Sequence, residues 1–334
     1  MHDRSIARKT ALVTGLAAVG AAAGLRPGRA AAPESLRVAK SLQGVLAYTP
    51  VDIGTARGYF SKAGVTIDEM TFNGSSKMHQ AMVGGAIDIA LGSGSTMIDI
   101  LKGEPSLCVA QTLGPPVELG ILVPYDSPIR SVDDLKGKTI GVATIGSPTE
   151  WLAFELSRVK GWGPRGVRTV ETGGGPSGVA ALRTHAVDAI VGNVSYAFNL
   201  EPQKVIRLLV PCSQYAKNFV MHAIFASTNL IQTRPAALRG FLKGWFDTIA
   251  YMRANKNATV EFAAGVDNIS IAAQTREYDL VAPDLSTDGR FDPQDVAAIA
   301  RSYVDLQLLD HEPDMSKLYT EQFLPVMPGR RPGT

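Results

Sequence analysis

A thirteen-residue stretch occurs twice in this chain, one hundred residues apart, and that repetition limits what the chain can fold into. Gln80-Ala-Met-Val-Gly-Gly-Ala-Ile-Asp-Ile-Ala-Leu-Gly92 returns as Ala180-Ala-Leu-Arg-Thr-His-Ala-Val-Asp-Ala-Ile-Val-Gly192. Each copy reads as the end of a helix, a tight turn, an Asp opening a short apolar strand (Asp88, Asp188) and a closing Gly. The flanks match as well. Upstream lie the strands Leu36–Lys40 and Gly64–Phe72 in one copy, and Thr139–Ala143 and Gly166–Glu171 in the other. Between them stand two helix starts of one design, Thr49-Pro-Val-Asp52 and Ser147-Pro-Thr-Glu150. Both are expected to place a hydroxyl at the N-cap, Pro where no N–H is needed, and an acid facing the positive helix end. Strand, helix, strand, helix, strand, twice over, predicts an α/β protein with two mostly parallel sheets, each binding at the carboxyl ends of its strands.

The length fits that division, since 334 residues exceed one ordinary core of about 100–200 residues. Residues 1–30 read as a secretory signal. Arg4, Arg8 and Lys9 precede the small and apolar run Ala11–Leu25, and Gly28 and Ala30 set the expected cleavage after Ala30. The apolar run is too short for a stable transmembrane helix. This leader holds five of the 33 basic side chains and one of the 31 acidic ones, so the remainder is slightly acidic and suggests no nucleic-acid partner. Cys108 and Cys212 are the two thiols; either they pair in an oxidising compartment or they are buried as small apolar side chains.

Several loops at strand ends carry hydroxyls and amides. Gly92-Ser-Gly-Ser-Thr96 leads into a helix, exposing N–H groups that suit an anion or simply capping that helix. Gly114-Pro-Pro116 and Pro211–Tyr215 are candidate hinges, and the strands Val117–Val123 and Phe219–Ala226 follow them. The C-terminal tail is expected to be helical, including Pro293–Leu308 and Met315–Phe323. Trp151 either stacks on a ligand or packs against its own sheet. His222 either lines the cleft or is a structural histidine. Asp88 and Asp188 invite a catalytic-pair reading, but their place away from the strand-end loops favours turn capping.

Ala56-Arg-Gly-Tyr-Phe-Ser-Lys-Ala-Gly-Val-Thr-Ile67, the repeat itself, Ser131-Val-Asp-Asp-Leu-Lys-Gly-Lys-Thr-Ile-Gly-Val142 and Leu309–Tyr319 together give the chain a recognisable outline. It resembles the solute-binding proteins of ATP-driven importers, in the group that handles nitrate, alkyl sulfonates, taurine and the thiamine pyrimidine. The resemblance implies a two-lobed type II periplasmic-binding-protein fold with two hinge crossings. Residues 34–115 and 216–330 form lobe I and residues 116–215 form lobe II. It further implies a monomeric periplasmic protein without a cofactor, which closes on a small-molecule ligand, an organic anion or a heterocycle, and delivers it to an ABC transporter membrane permease. The family's binding positions fall on loops that here supply Gln43, Tyr48, Thr49, Ser93, Ser95, Ser147, Thr149, Asn193 and Tyr196. No Arg or Lys sits plainly in these loops, a departure from an ionic clamp. The same fold hosts enzymes, among them the thiamine-pyrimidine synthase and a menaquinone-pathway dehydratase, and an enzyme is the alternative function. A ligand-sensing partner of a membrane receptor is a third reading. Against catalysis stand the absence of a cysteine-rich iron segment, of a Gly-x-Ser-x-Gly elbow and of His pairs at ligand spacing.

Overall fold

The computed structural model describes residues 33–72, 74–163 and 166–325; the segment read as an export signal lies outside them. Ten strands are present among these residues: β1 (Glu34–Lys40), β2 (Val65–Thr71), β3 (Ile89–Gly92), β4 (Ser106–Leu113), β5 (Leu119–Pro124), β6 (Thr139–Val142), β7 (Arg168–Glu171), β8 (Ala189–Asn193), β9 (Ile206–Pro211) and β10 (His222–Ser227). They form two five-stranded sheets, ordered β2-β1-β3-β10-β4 and β7-β6-β8-β5-β9. The repeat seen in the sequence therefore becomes one topology built twice, with β1, β2 and β3 matched by β6, β7 and β8.

In each sheet the three repeat strands are parallel, and one strand runs against its neighbours: β10 in the first sheet and β5 in the second. That antiparallel strand is the one that arrives from the other sheet. The chain leaves the first sheet between Leu113 and Leu119 and returns between Pro211 and His222. Because each arriving strand runs backwards, its first residues lie beside the carboxyl ends of the repeat strands. Register fixes this: Ala223 pairs with Gly92, and Leu119 pairs with Asn193.

Asp88 and Asp188 clasp the opposite edge of their sheets. Asp88 accepts a hydrogen bond from the Arg37 amide (3.0 Å) and Asp188 one from the Thr139 amide (2.8 Å). Their own amides donate back to the Arg37 and Thr139 carbonyls, both at 2.9 Å. Each carboxylate thus tethers its turn to the start of β1 or β6, as turn capping requires. Asp88 is reinforced by the guanidinium groups of Arg37 and Arg234, which hold its carboxyl below the usual range despite burial.

Helices cover both sheets. The longest, Pro235–Ala254, buries Leu238, Phe241, Trp245 and Ile249 under the first sheet. It approaches its neighbours so closely that a Cβ on Gly244 would lie 2.5 Å from the Phe60 ring. Phe60 stacks on Phe241 at 5.2 Å instead. No helix among the described residues is long and apolar enough to cross a membrane.

Two expectations fail. The tail is not helical to Phe323: only a 3₁₀ turn, Met315–Lys317, forms, and the chain then runs alongside β4. There the Cys108 amide donates to Leu318 O (3.0 Å) and the Thr320 amide donates to Cys108 O (2.9 Å). An edge strand offers unpaired backbone groups, and the tail satisfies them. The hydroxyls at the two helix starts do not cap either. Thr49 is already in the α region, continuing the turn Leu46–Tyr48, and its side chain makes no capping bond. Ser147 makes none either; Glu150 serves that end, accepting from the Gly146 amide at 2.7 Å. Cys108, in β4, and Cys212, in the 3₁₀ turn after β9, are both free and buried, so the apolar reading of the thiols holds.

Candidate functional site

The loops that follow β3 and β8 close in the same way. Ser93 Oγ accepts from the Ser95 amide (3.4 Å) and from Ser95 Oγ (3.1 Å). Asn193 Oδ1 accepts from the Ser195 amide (3.0 Å) and from Ser195 Oγ (2.9 Å). The residues one hundred apart are thus structural equivalents, each holding the first N–H of the following turn. The Ser95 carbonyl accepts from the Tyr303 hydroxyl (2.9 Å). The loop is also pinned to the returning chain by the Gly94 amide, which donates to Val220 O (3.1 Å). A Cβ at Gly94 would meet Val220 at 2.5 Å, so only glycine permits that approach.

After β6, Ser147 and Thr149 share a hydroxyl–hydroxyl hydrogen bond of 2.7 Å, and Thr149 Oγ1 accepts from the Ala143 amide (2.9 Å). Gly146 of this loop packs near Leu308, which belongs to the C-terminal segment. After β1, Gln43 is exposed and makes long contacts of 3.4 Å with Thr71 and 3.5 Å with Val266 O. Thr49 is buried.

Tyr48 lies at the centre of a buried polar chain. Its hydroxyl meets Ser41 Oγ at 3.0 Å and His222 Nδ1 at 2.9 Å, and His222 Nε2 is hydrogen-bonded to Glu118 Oε1. Tyr48, His222 and Glu118 are all buried. Glu118 stands just before β5 and His222 opens β10, so this chain ties together the two segments that pass between the sheets. Burial and the Glu118 charge both push the Tyr48 phenol up, keeping it protonated and a donor.

A second group faces this one from the helix Ile271–Val281. Its inner stripe is Ala273, Gln274, Glu277, Tyr278 and Val281, so a carboxylate and an amide sit in the register of an apolar face. Gln274 Nε2 donates to Glu277 Oε2 (3.1 Å), and both side chains are fully buried. Burial, then the charges of Glu118 and Asp267, hold the Glu277 carboxyl well above its usual range. Asp267 is pushed up to about 6 by burial and by Asp52, with Lys40 opposing. Tyr196 belongs here too: its phenol is raised by burial and by Asp267 and Glu277. Lys40, which is buried, already bridges Asp52 (2.9 Å) and Glu69 (2.5 Å).

Of the nine loop residues expected to bind, the structure thus brings Tyr48 and Tyr196 to one acid-rich centre. It uses Ser93 and Asn193 as caps, pairs Ser147 with Thr149, and leaves Gln43 exposed. Glu118, Asp267, Gln274 and Glu277 were missed. The signal for Glu118 was its place at the head of a strand arriving from the other sheet; for Glu277 it was a charge falling on the helix's apolar stripe.

Two further groups are accounted for by packing. Trp151 is 1% exposed, stacks on Phe219 at 4.7 Å and donates Nε1–H to Asp305 (3.0 Å), so its ring is occupied by the protein. His79, Asp99 and Glu104 place ligand-type atoms within 4.8 Å of one another. His79 Nδ1 meets Glu104 at 2.8 Å and Ser106 Oγ donates to Glu104 at 2.6 Å, so the three side chains form a buried hydrogen-bonded cluster beneath β3 and β4.

Two α/β units, each a mixed five-stranded sheet flanked by helices and joined by two crossings, define the type II periplasmic-binding-protein fold. The chain belongs to the NMT1/THI5-like family, whose model matches residues 47–259. No curated protein matches it by sequence. Among solved structures it is similar to the alkanesulfonate-binding protein SsuA of Xanthomonas axonopodis pv. citri bound to MOPS, with 18% identity, a TM-score of 0.72, and coverage of 87% of this chain and 99% of that one. The ligand-binding component of an ABC-type import system from Staphylococcus aureus with zinc bound is 13% identical at a TM-score of 0.74, covering 87% and 97%. The periplasmic nitrate-binding protein NrtA of Synechocystis PCC 6803 is 12% identical at a TM-score of 0.66, covering 87% of each chain.

Proposed function

We propose that this protein is the exported substrate-binding component of an ABC importer, capturing a small organic molecule between its lobes and delivering it to a membrane permease. The observation that carries the reading is the buried polar centre at the two crossings, where Tyr48, His222 and Glu118 meet Tyr196 and Glu277. Polar groups taken out of water at a hinge cost stability unless something repays them, and a ligand that links the lobes does so. The solved relatives named for sulfonate and nitrate support a small, charged ligand. On this reading residues 1–30 are removed on export, lobe I comprises residues 34–115 and 216–330, and lobe II residues 116–215. The working form is monomeric.

A thermal-shift screen of the protein from Ala31 onward, against sulfonates, nitrate, carboxylates, amino acids and pyrimidines, tests it. A true ligand at a hundredfold excess over Kd adds about 2.7 kcal/mol of stability. A screen without a single stabilising compound, alongside a catalytic turnover of any of them, would replace this reading with the enzyme. What favours that second reading is the chain Ser41–Tyr48–His222–Glu118. Against it, Ser41 meets a phenol rather than the imidazole, whereas a serine nucleophile is ordinarily hydrogen-bonded to its base directly.

A further inference from the structure

Both crossings are fastened to one side chain. Asp295 stands in the first turn of the helix Pro293–Asp305 and is 6% exposed. Its Oδ1 accepts from the Phe219 amide (3.1 Å) on the returning crossing, and its Oδ2 accepts from Gln111 Nε2 (2.5 Å), in β4 just before the outgoing crossing. An acid at the third helical position ordinarily reaches back to the N–H of its own N-cap. Here that N–H, of Asp292, donates to Gln111 Oε1 (3.1 Å), which leaves the Asp295 carboxylate to the crossings. Holding it there is unfavourable for the acid itself: burial pushes its carboxyl up to about 6, and the neighbouring charge, Asp292, is of like sign. The fit is also close. A Cβ on Gly114 would lie 2.7 Å from Asp295 Oδ2 and 3.1 Å from Gln111 Nε2, so the outgoing crossing passes against the pair itself.

The same end of the crossings is tied twice more. The Met221 amide donates to Gly114 O (3.1 Å), and Asn218 Nδ2 donates to Gln294 Oε1 (3.2 Å) in the first turn of that helix. At the other end Gly120 pairs with Pro211 inside the second sheet. Between these anchors lie residues 115–117 and 212–217, where the amides of Val117, Tyr215 and Ala216 donate within their own segment. We propose that Asp295 is the positioning residue of the hinge: by gripping the lobe I end of both crossings it confines the bend between the lobes to residues 115–117 and 212–217. This rests on the two-lobe reading above and adds where the motion is hinged. A fixed pivot brings the strand-end loops back to one mutual position at each closure, whereas a loose one lets the lobes meet in many.

Spin labels on Leu42→Cys and Ile145→Cys, exposed in the loops after β1 and β6, report the distance between the lobes by pulsed electron paramagnetic resonance; Cys108 and Cys212 are buried. The measurement is made on ligand-free protein at pH 8, where the carboxylate is ionised. Asp295→Asn keeps an acceptor for the Phe219 amide but turns its NH₂ against that of Gln111, and a distance distribution at least twice as wide as the parent's is expected. Combining it with Gln111→Glu exchanges donor and acceptor while still accepting from the Asp292 amide, and should restore the parent's width. A role limited to the helix end would lower the melting temperature of Asp295→Asn and leave the distances in the folded protein unchanged; that result overturns the proposal, as does a double variant as broad as the single one. Should Asp295→Asn not fold, Gly114→Ala decides: its methyl displaces the same carboxylate, so a twofold broadening supports the proposal and the parent's distribution overturns it. No ligand enters the measurement, so its failure leaves the importer reading to the thermal-shift screen, and an empty screen leaves the hinge result standing.

Discussion

Replacing Asp88 with Asn should unfold this protein far more readily than the same change at its repeat counterpart, Asp188. The Asp88 carboxylate is 2% exposed and bonded to the Arg37 amide, to the Arg37 guanidinium at 2.9 and 3.1 Å, and to Arg234 at 2.6 Å. Asn keeps one acceptor but loses the charge and turns an NH₂ toward the guanidinium groups. Breaking a fully buried pair costs roughly 3–5 kcal/mol; because Arg37 and Arg234 are 40% and 29% exposed, water repays part, leaving about 2–4 kcal/mol. Asp188 accepts from the Thr139 amide, which Asn can still satisfy, so Asp188→Asn should cost about 0.5–1.5 kcal/mol. Urea unfolding at pH 7 measures both, with unchanged m-values confirming that only stability moved. The sign with pH follows from the depressed Asp88 pKa: its contribution is present above the unfolded carboxyl value near ~4 and is lost as pH falls through the folded value. Equal losses at both sites, or a Asp88→Asn protein of native stability that no longer binds ligand, would refute the tether account.

Three further outcomes follow from named groups. Asp267 and Asp295, each pushed up to about 6 by burial, favour the folded state while protonated, so their contribution is full below pH ~4 and lost as pH rises through about 6; a urea midpoint higher at pH 7.5 than at pH 5 would contradict this. Cys108 and Cys212 are buried, the latter pushed up to about 12, so neither thiol should react with an aromatic disulfide reagent until the protein is unfolded; rapid labelling of native protein would count against it. Ser95→Ala and Ser147→Ala should each weaken ligand binding severalfold or more, a neutral hydroxyl contact being worth about 0.5–1.5 kcal/mol; unchanged affinity in both would confine these serines to holding Ser93 and Thr149.

What was legible in the sequence was what repeats. The two copies carried the strand order of β1–β3 and β6–β8, the opposing turns at Asp88 and Asp188, and the positions of the loops at 93–96 and 193–196. Tyr48 and Tyr196 of the centre between the lobes were legible, but its acids were not, because they come from segments outside the repeat. Glu118 and His222 reach it only because β5 and β10 run antiparallel to their sheets, and no local pattern announces strand direction. Glu277 and Gln274 arrive on a C-terminal helix whose role is set by tertiary packing. The helix-start hydroxyls misled for a local reason: Thr49 and Ser147 have the right residue types, but the turn before Thr49 and the carboxylate of Glu150 supply what a cap would have supplied.

The central claim is that two lobes close on a small molecule, and solution scattering tests it most directly. A compact chain of about 300 residues has a radius of gyration near 19 Å. With a stabilising ligand from the screen at saturation, the account predicts a radius near that value, and a measurably larger one once the ligand is dialysed away. Identical scattering profiles with and without saturating ligand would contradict closure on the ligand.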